Sequence, residues 1–249
     1  MLDLTKGVVA FSTELLGLGN PITDVADVLA VSAEVRVDWY EELLAYSLLR
    51  RAMQRDNTVS GTHQEKIFPY IKHILTWVRS TDFYTAPASI KWHEAYNGGL
   101  LVHTLKAYVQ LCGLRQVPKF RSVVDDQWWS AVFAILTHDW CKIGRYEQYL
   151  KNIPPDDKCP DWHQEYAYRT KDDDVVRFGH GPQSLIVVMQ LCSSSKLTSL
   201  TFEEMAAIRW HMDGWDIGHY DDKDLAKCNE KIPMVRMIQF ADLLAITSY

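Results

Sequence analysis

Apolar residues recur with the period of an α-helix in one segment after another, and this pattern constrains the fold of the 249-residue chain more than any other feature. Between residues 38 and 55, for example, they fall close to one helical face. Segments of this kind predict helices at residues 38–55, 62–79, 99–114, 126–143, 182–193, 201–211 and 233–247. The pattern therefore predicts an all-α fold.

Local signals place the ends of several of these helices. Residues 62–65 and 201–204 each have the arrangement of a capping box, in which a threonine and a glutamate three residues later satisfy the first backbone donors. Pro233 suits the first turn of the last helix, whereas Pro69 is expected to kink the second one. Because 47% of the residues are apolar, the chain can bury the core of one large domain, or of one domain with a helical extension.

The segment from residue 145 to residue 179 departs from the helical pattern. It contains three prolines and an acidic run at residues 172–174. The stretches 165–169 and 175–178 flank that run and have strand character. We therefore predict a small β-hairpin whose solvated turn is the acidic run.

Charge and cysteine usage limit the partners and the compartment. The formal net charge is −6, and an acidic chain without a basic strip repels a long phosphate backbone. A small charged substrate stays compatible, because metal ions can supply positive charge locally. Five cysteines without a C-x-x-C pair, together with the lack of a secretion signal, predict reduced thiols in the cytoplasm. The lack of an apolar window of ~18 residues predicts no membrane span.

Six residues of the types that bind metal ions lie within or beside the apolar helical segments. They are His103, His138, Asp139, His180, His211 and Asp242. Such side chains cost free energy when they are buried without partners. Any one of the histidines alone is more simply a core residue with a satisfied ring. The set as a whole, with its His-Asp doublet and its aspartate on the terminal helix, predicts a metal centre.

The order of these residues carries a resemblance to a known family. A helix with a histidine, a helix with a His-Asp doublet and a helix with an aspartate resemble the HD superfamily of metal-dependent phosphohydrolases. The surrounding residues at 97–105, 134–142, 178–184, 207–214 and 241–245 resemble that family's segments as well. The resemblance covers about residues 80–249 and is closest to bacterial and phage HD hydrolases. It is more distant to the HD domain of YhaM-type 3′-to-5′ exoribonucleases.

The resemblance implies an HD-type helical bundle at residues 80–249, on which residues 1–79 pack as a helical extension. It also implies the ligands of two metal ions. The first ion would be held by His103, His138, Asp139 and Asp242; Asp139 would bridge to a second ion, which His180 and His211 would hold. Imidazole nitrogens and carboxylate oxygens together suit Mn, Fe, Co, Ni or Zn.

Two further residues are candidates for contact with the substrate. Lys142 follows Asp139 by three residues, so both can face one side of a helix, and it would grip a phosphate oxygen. The alternative is a solvated lysine at a helix end. His93 lies in the loop before His103 and either contacts the substrate or holds the loop.

Together with these residues, the resemblance implies a metal-dependent phosphohydrolase, with Asp139 and Lys142 as catalytic residues. It would cleave a phosphoester or phosphoanhydride bond through a hydroxide that the metal activates. The expected partner is a small phosphorylated substrate, first of all a nucleotide, with a short nucleic-acid end also compatible; the oligomeric state is not predicted. Two alternatives stay open, namely an HD-type di-iron oxygenase and a nucleotide-binding regulator.

Overall fold

The computed structural model describes residues 22, 24–55, 62–172, 176–194, 198–216 and 222–247. Over these residues the chain is mostly helical. The α-helices are α1 (Val25–Ala30), α2 (Ala33–Arg55), α3 (Thr62–Arg79), α4 (Gly99–Gly113), α5 (Arg121–Asp126), α6 (Trp128–Thr137), α7 (His180–Cys192), α8 (Phe202–Arg209), α9 (Asp222–Lys231) and α10 (Pro233–Thr247). Short 3₁₀ helices occur at Leu114–Gln116, Pro118–Phe120, Trp140–Lys142 and Asp213–Asp216.

One small sheet accompanies these helices in the described part of the chain. It is an antiparallel hairpin of β1 (Tyr146–Ile153) and β2 (His163–Thr170). The prediction of a helical fold with a small β-hairpin is confirmed at this level. None of the described helices combines the length and the apolar character that a membrane crossing requires.

Helix α4 lies at the centre of the structure and positions the site. Nearly all of its residues are buried, and it packs against α10, α6 and α2. Its one buried threonine, Thr104, donates its hydroxyl to the carbonyl of Leu100 at 2.8 Å, so that this hydroxyl is satisfied within the helix. The close packing of α4 against α10 brings the middle of one helix, with His103, to the last turns of the other, with Asp242.

Helix α2 joins the same hydrophobic core, although it belongs to the predicted N-terminal extension. It packs against α6 and α3. The hydroxyl of Tyr40 donates to the carbonyl of Leu136 at 3.1 Å and accepts from Trp140 Nε1 at 3.0 Å. The apolar cluster runs from Ile22 to Ala245. The domain division at residue 79 stays a prediction.

Two predicted helices end earlier than their apolar patterns suggested. The predicted helix at 126–143 breaks at Gln127, and α6 ends at Thr137, so that His138 and Asp139 lie in a turn before a 3₁₀ helix. The predicted helix at 201–211 ends at Arg209, before His211. In each case the histidine ring donates to a backbone carbonyl in the last turn of the preceding helix. A side-chain donor of this kind competes with the next backbone N–H for that carbonyl, and this competition favours an end of the helix there.

The predicted strands of the hairpin were wrong in part. Strand β2 does include 165–169, but it pairs with β1 and not with residues 176–178; residue 175 lies outside the described residues. The actual turn is the stretch between β1 and β2, where Asp156 Oδ1 accepts from the backbone of Lys158 and Cys159. The prolines after β1 cannot donate to a ladder, which ends the strand there. The acidic run therefore follows the hairpin, and its residues 173 and 174 lie outside the described residues.

The boundaries of the other predicted helices need smaller corrections. Helix α2 begins five residues earlier than residue 38, and α1, α5 and α9 were not predicted. The second capping box is confirmed, because Thr201 Oγ1 accepts from the backbone N–H of Glu204 while the Glu204 side chain accepts from the backbone of Thr201. The side chains of the first one, at 62–65, lie outside the described residues.

Candidate metal centre

Four helices deliver buried histidine and aspartate side chains to one place. His103 comes from the middle of α4, His138 and Asp139 follow the end of α6, His211 follows α8, and Asp242 comes from α10. His103 Nε2 lies 3.0 Å from Asp242 Oδ1, and His138 Nε2 lies 3.5 Å from the same oxygen. Residues up to 139 positions apart in the sequence thus share one cluster.

The rings of His138 and His211 are oriented by the ends of their own helices. His138 Nδ1 lies 2.7 Å from the carbonyl oxygen of Ile135, and His211 Nδ1 lies 2.8 Å from that of Ile208. Because a carbonyl oxygen can only accept, both Nδ1 atoms must carry the proton. In the neutral ring each Nε2 then presents a lone pair, and both Nε2 atoms are buried without a hydrogen-bond partner. Metal-binding histidines are commonly held in this way.

The two carboxylate oxygens of Asp139 face different histidines. Oδ2 lies 3.4 Å from His138 Nε2 and 3.5 Å from His103 Nε2, whereas Oδ1 lies 3.6 Å from His211 Nε2. Oδ1 is buried and has no hydrogen-bond partner. A carboxylate placed in this way is suited to bridging two cations, which is the role that the resemblance implies for this residue.

Lys142 is buried and paired with Asp139. Only 5% of the lysine is exposed, and its Nζ lies 2.6 Å from Asp139 Oδ2. Burial alone would raise the pKa of Asp139, but Lys142 and His138 together hold that pKa well below its ordinary value. The structure therefore contradicts the alternative of a solvated lysine. The 3₁₀ helix that replaces the predicted helical turn still places both residues on one side.

His180 approaches Asp139 together with a cysteine. One ligand atom from each of Asp139, Cys141 and His180 lies within 4.8 Å of the others, and His180 Nδ1 is 3.6 Å from Cys141 Sγ. Burial lowers the pKa of His180 to about 4, so the ring is neutral at pH 7 and has a lone pair to offer. Spacing alone did not single out Cys141, because it is not part of a C-x-x-C pair.

A glycine determines how closely His180 comes to the end of α8. A Cβ on Gly181 would lie 1.9 Å from the carbonyl oxygen of Arg209, so only glycine lets α7 begin against that backbone. The N–H of Gly181 also donates to Asp216 Oδ2 at 2.8 Å. These contacts hold the first turn of α7 beside the turn that carries His211.

Glu94 is a functional candidate that the sequence analysis missed. Its Oε2 lies 3.9 Å from His103 Nδ1, and neither atom has a hydrogen-bond partner. Its Oε1 accepts from the buried Lys106 at 2.7 Å. The backbone of Glu94 is in the left-handed region, with φ of 42°, and a Cβ on Gly99 would lie 1.9 Å from its carbonyl oxygen. The glycine at the start of α4 is thus what lets the loop bring Glu94 to the outer side of His103.

His93 lies beside the centre, where its ring centroid is 4.9 Å from that of His103. Burial lowers the pKa of His93 to about 4, and its Nε2 is buried without a partner. Ligand atoms of His93, Glu94 and His103 lie within 4.8 Å of one another. Because Lys106 already neutralises Glu94, a cation is disfavoured at this outer position.

A cavity of about 290 Å³ opens onto the centre. His93, Asp139, Lys142, His180 and Asp242 line it, together with Arg145 from the start of the hairpin segment. Three of the six predicted ligands, Asp139, His180 and Asp242, therefore border one space with both predicted substrate contacts, whereas the buried His103, His138 and His211 do not line it. Arg145 was not predicted, and no periodicity marks it.

The donor set fits a divalent transition metal. Three buried imidazoles and two buried carboxylates face one another, and the Nε2 atoms of His138 and His211 and the Oδ1 atom of Asp139 lack partners. Unpaired buried polar atoms are costly, and cations bound on the two sides of Asp139 would satisfy all three. Mixed nitrogen and oxygen donors suit the predicted Mn, Fe, Co, Ni or Zn better than Mg.

Comparisons with known proteins do not extend this description. No family model, no curated protein and no solved structure matches the chain.

Proposed function

We propose that the protein is a metal-dependent phosphohydrolase with an HD-type helical bundle, which cleaves a phosphoester or phosphoanhydride bond of a nucleotide or a nucleic-acid end. The observation that carries the proposal is the pair of buried Nε2 atoms, of His138 and His211, which face opposite oxygens of Asp139. This arrangement supports two neighbouring cation positions with one shared carboxylate. Two-metal sites of this kind are common in enzymes that hydrolyse phosphate bonds.

The proposal divides the buried ligands between two positions. His103, His138, Asp139 and Asp242 would hold one ion, and Asp139, His180 and His211 would hold the second. An ion bound there supplies Lewis acidity to a phosphoryl oxygen and lowers the pKa of a bound water. The carboxylate of Asp242 is ready for this role: burial would raise its pKa, but the neighbouring imidazoles of His103 and His138 hold that pKa well below the ordinary value.

The charges around the cavity favour an anionic substrate. Asp139 and Asp242 are balanced by Lys142 and Arg145. Each divalent ion that binds therefore leaves the cavity two positive charges in excess. In a partly buried space such an excess attracts a phosphate group more strongly than it would in water. Lys142 also lines the cavity, where its ammonium group would donate to a phosphate oxygen while it keeps Asp139 ionised.

A substrate panel tests the proposal directly. The purified protein is loaded with Mn²⁺ and incubated without oxygen with nucleoside mono- and triphosphates, cyclic mono- and dinucleotides, and short single-stranded RNA and DNA. We expect turnover of one class, and a loss of at least ~10³-fold in Asp139→Asn, because the bridging charge and one ligand are removed. Asp125→Asn is the control, since Asp125 is exposed and paired only with Arg121 in the described structure.

Other results would contradict the proposal in distinct ways. Tightly bound iron with oxygen consumption, and no turnover without oxygen, would favour the di-iron oxygenase. Nucleotide binding without turnover by metal-loaded protein would favour the regulator. Failure of the wild-type protein to bind any divalent transition metal would exclude both metal-dependent enzymes.

A further inference from the structure

Arg145 is a cation at the cavity without a carboxylate partner. Its side chain lines the cavity beside Lys142, and its Nε is buried without a hydrogen-bond partner. No ion pair joins it to a carboxylate in the described part of the chain; its neighbour is the ring of Tyr146, with 5.9 Å from the guanidinium carbon to the ring centroid. Lys142, by contrast, is bound to Asp139. A partly buried guanidinium without a carboxylate partner is suited to bind the anionic group of a ligand, and its planar fork matches a phosphate.

Trp92 offers an exposed aromatic face at the same cavity. It is 81% exposed, although it lines the cavity from the loop between α3 and α4. Ile90, from the same loop, is also exposed and lines the cavity. A large aromatic surface in water costs free energy and is common where a ligand covers it. Planar rings stack well on such a side chain.

The volume and the charge of the molecule limit the size of the ligand. The cavity volume of about 290 Å³ is at the lower end of ligand pockets, which span roughly 300–1,000 Å³. The net charge of −6 disfavours a long phosphate backbone. A single nucleotide unit agrees with both limits.

We infer that the cavity binds a free mononucleotide-sized substrate, whose phosphate is held by Arg145 as well as by the metal ions, and whose base stacks on Trp92. This inference rests on the proposed function and deepens it. Arg145 would then provide affinity for the anionic group of any substrate, while Trp92 would select substrates in which an aromatic ring accompanies the phosphate.

Calorimetric titrations of Ni²⁺-loaded protein test the two roles separately. The probes are the methylenephosphonate analogue of adenosine 5′-monophosphate, which resists hydrolysis, and methylphosphonate, which lacks the base. We expect Arg145→Gln to weaken both by about 10- to 100-fold, since a charge-assisted contact is lost. We expect Trp92→Ala to weaken only the nucleotide analogue, by about 5- to 100-fold.

Two control variants replace exposed residues of the same types that lie away from the cavity. Arg121→Gln and Trp162→Ala should bind both probes as the wild-type protein does. Equal affinity of the wild type for the two probes, or unchanged binding by Trp92→Ala, would overturn the inference about the base. Unchanged binding by Arg145→Gln would overturn the inference about the phosphate. A 5′-phosphorylated oligonucleotide that binds far more tightly than the nucleotide analogue would overturn the inference that the substrate has the size of a mononucleotide.

These outcomes are separable from the fate of the proposed function. Selective binding of the nucleotide analogue, without turnover of any nucleotide, would contradict only the hydrolase. Turnover with unchanged probe binding in both cavity variants would contradict only the inference about Arg145 and Trp92.

Discussion

Individual side chains on the outer side of the centre hold the inner ones. The rings of His138 and His211 donate to carbonyl oxygens of the helices that precede them, whereas the Nδ1 atom of His103 has no such carbonyl and faces Glu94. A carboxylate behind a metal-binding histidine fixes the ring and increases its basicity. Glu94 is itself held by Lys106 and by its backbone, so its position does not depend on the metal.

This role predicts a specific effect of Glu94→Gln on metal binding. The amide keeps the shape of the side chain but removes the charge that faces His103. We expect Mn²⁺ affinity to fall by about 10- to 100-fold, while the helical content is unchanged. Competition with a chelating dye measures the affinity. The matched control is Glu147→Gln, which breaks an exposed pair with Arg169 and should bind Mn²⁺ normally; a twofold effect or less in Glu94→Gln would contradict the role.

At the scale of helices, the centre depends on how closely a few elements approach. Helix α7 begins against the end of α8, which requires Gly181. The hairpin contributes its first residue pair, Tyr146 and Thr170, to the wall of the cavity. Helix α2 is tied to α8 by the buried ion pair of Arg51 and Glu204, so the N-terminal helices support the element that precedes His211.

The approach of α7 to α8 predicts opposite effects of two glycine substitutions. Gly181→Ala would force the two helices apart, and we expect it to destabilise the fold by about 1–3 kcal/mol and to weaken binding of the second metal ion. Gly113→Ala places a methyl group where nothing lies within 4 Å, and we expect it to be neutral or to stabilise by up to about 1 kcal/mol. Denaturant unfolding and metal titration measure both effects. Equal stability of the two variants would show that the close contact does not position α7.

The buried ion pair predicts a strong dependence of stability on Arg51. Both side chains of the pair are fully buried, and Arg51→Met would leave the Glu204 carboxylate without its cation. We expect a loss of about 3–5 kcal/mol in the free energy of unfolding. Arg121→Met, which breaks the exposed pair with Asp125, should cost at most about 1 kcal/mol. Urea denaturation measures the loss in the free energy of unfolding for both variants. Similar losses would contradict the conclusion that the buried ion pair ties α2 to α8.

At the scale of the whole molecule, one hydrophobic core surrounds a centre of buried charged side chains. In the metal-free protein, the buried carboxylates of this centre must be satisfied by protons or by Lys142. Burial alone would lower the pKa of His138, but Asp139 and Asp242 outweigh it and raise that pKa to about 10. A proton on His138 then takes the place of a metal ion as the partner of the two carboxylates.

The exchange of a metal ion for a proton on His138 predicts how the stability of the metal-free protein depends on pH. Because the folded pKa of His138 exceeds the ordinary value of 6.5, its contribution to stability is complete below about pH 6.5 and is lost as the pH rises toward about 10. We expect the metal-free protein to become easier to unfold over that interval, and the Ni²⁺-loaded protein to change much less. Urea unfolding at a series of pH values tests this. Parallel curves for the two forms would contradict it.

Much of the fold and the donor set could be predicted from the sequence. The helical segments, the second capping box and the last helix follow from periodicity and local hydrogen bonding, which depend on neighbouring residues alone. The six proposed ligand positions stood out because polar residues interrupt apolar helices. The partner strand of the hairpin was predicted wrongly, because strand pairing depends on a second segment that alternation within one strand does not identify.

The sequence by itself determined that this protein is helical and that it carries imidazole and carboxylate donors in buried segments, because both properties are encoded within a few turns of chain. Only the tertiary structure decided which atoms of those donors face one another. The early ends of α6 and α8 aim Nε2 of His138 and His211 at Asp139, and close glycine contacts bring Glu94 and His180 to the same centre. The structure likewise decided that Arg145 and Trp92 line the same cavity, since a cavity wall exists only once distant segments have packed together.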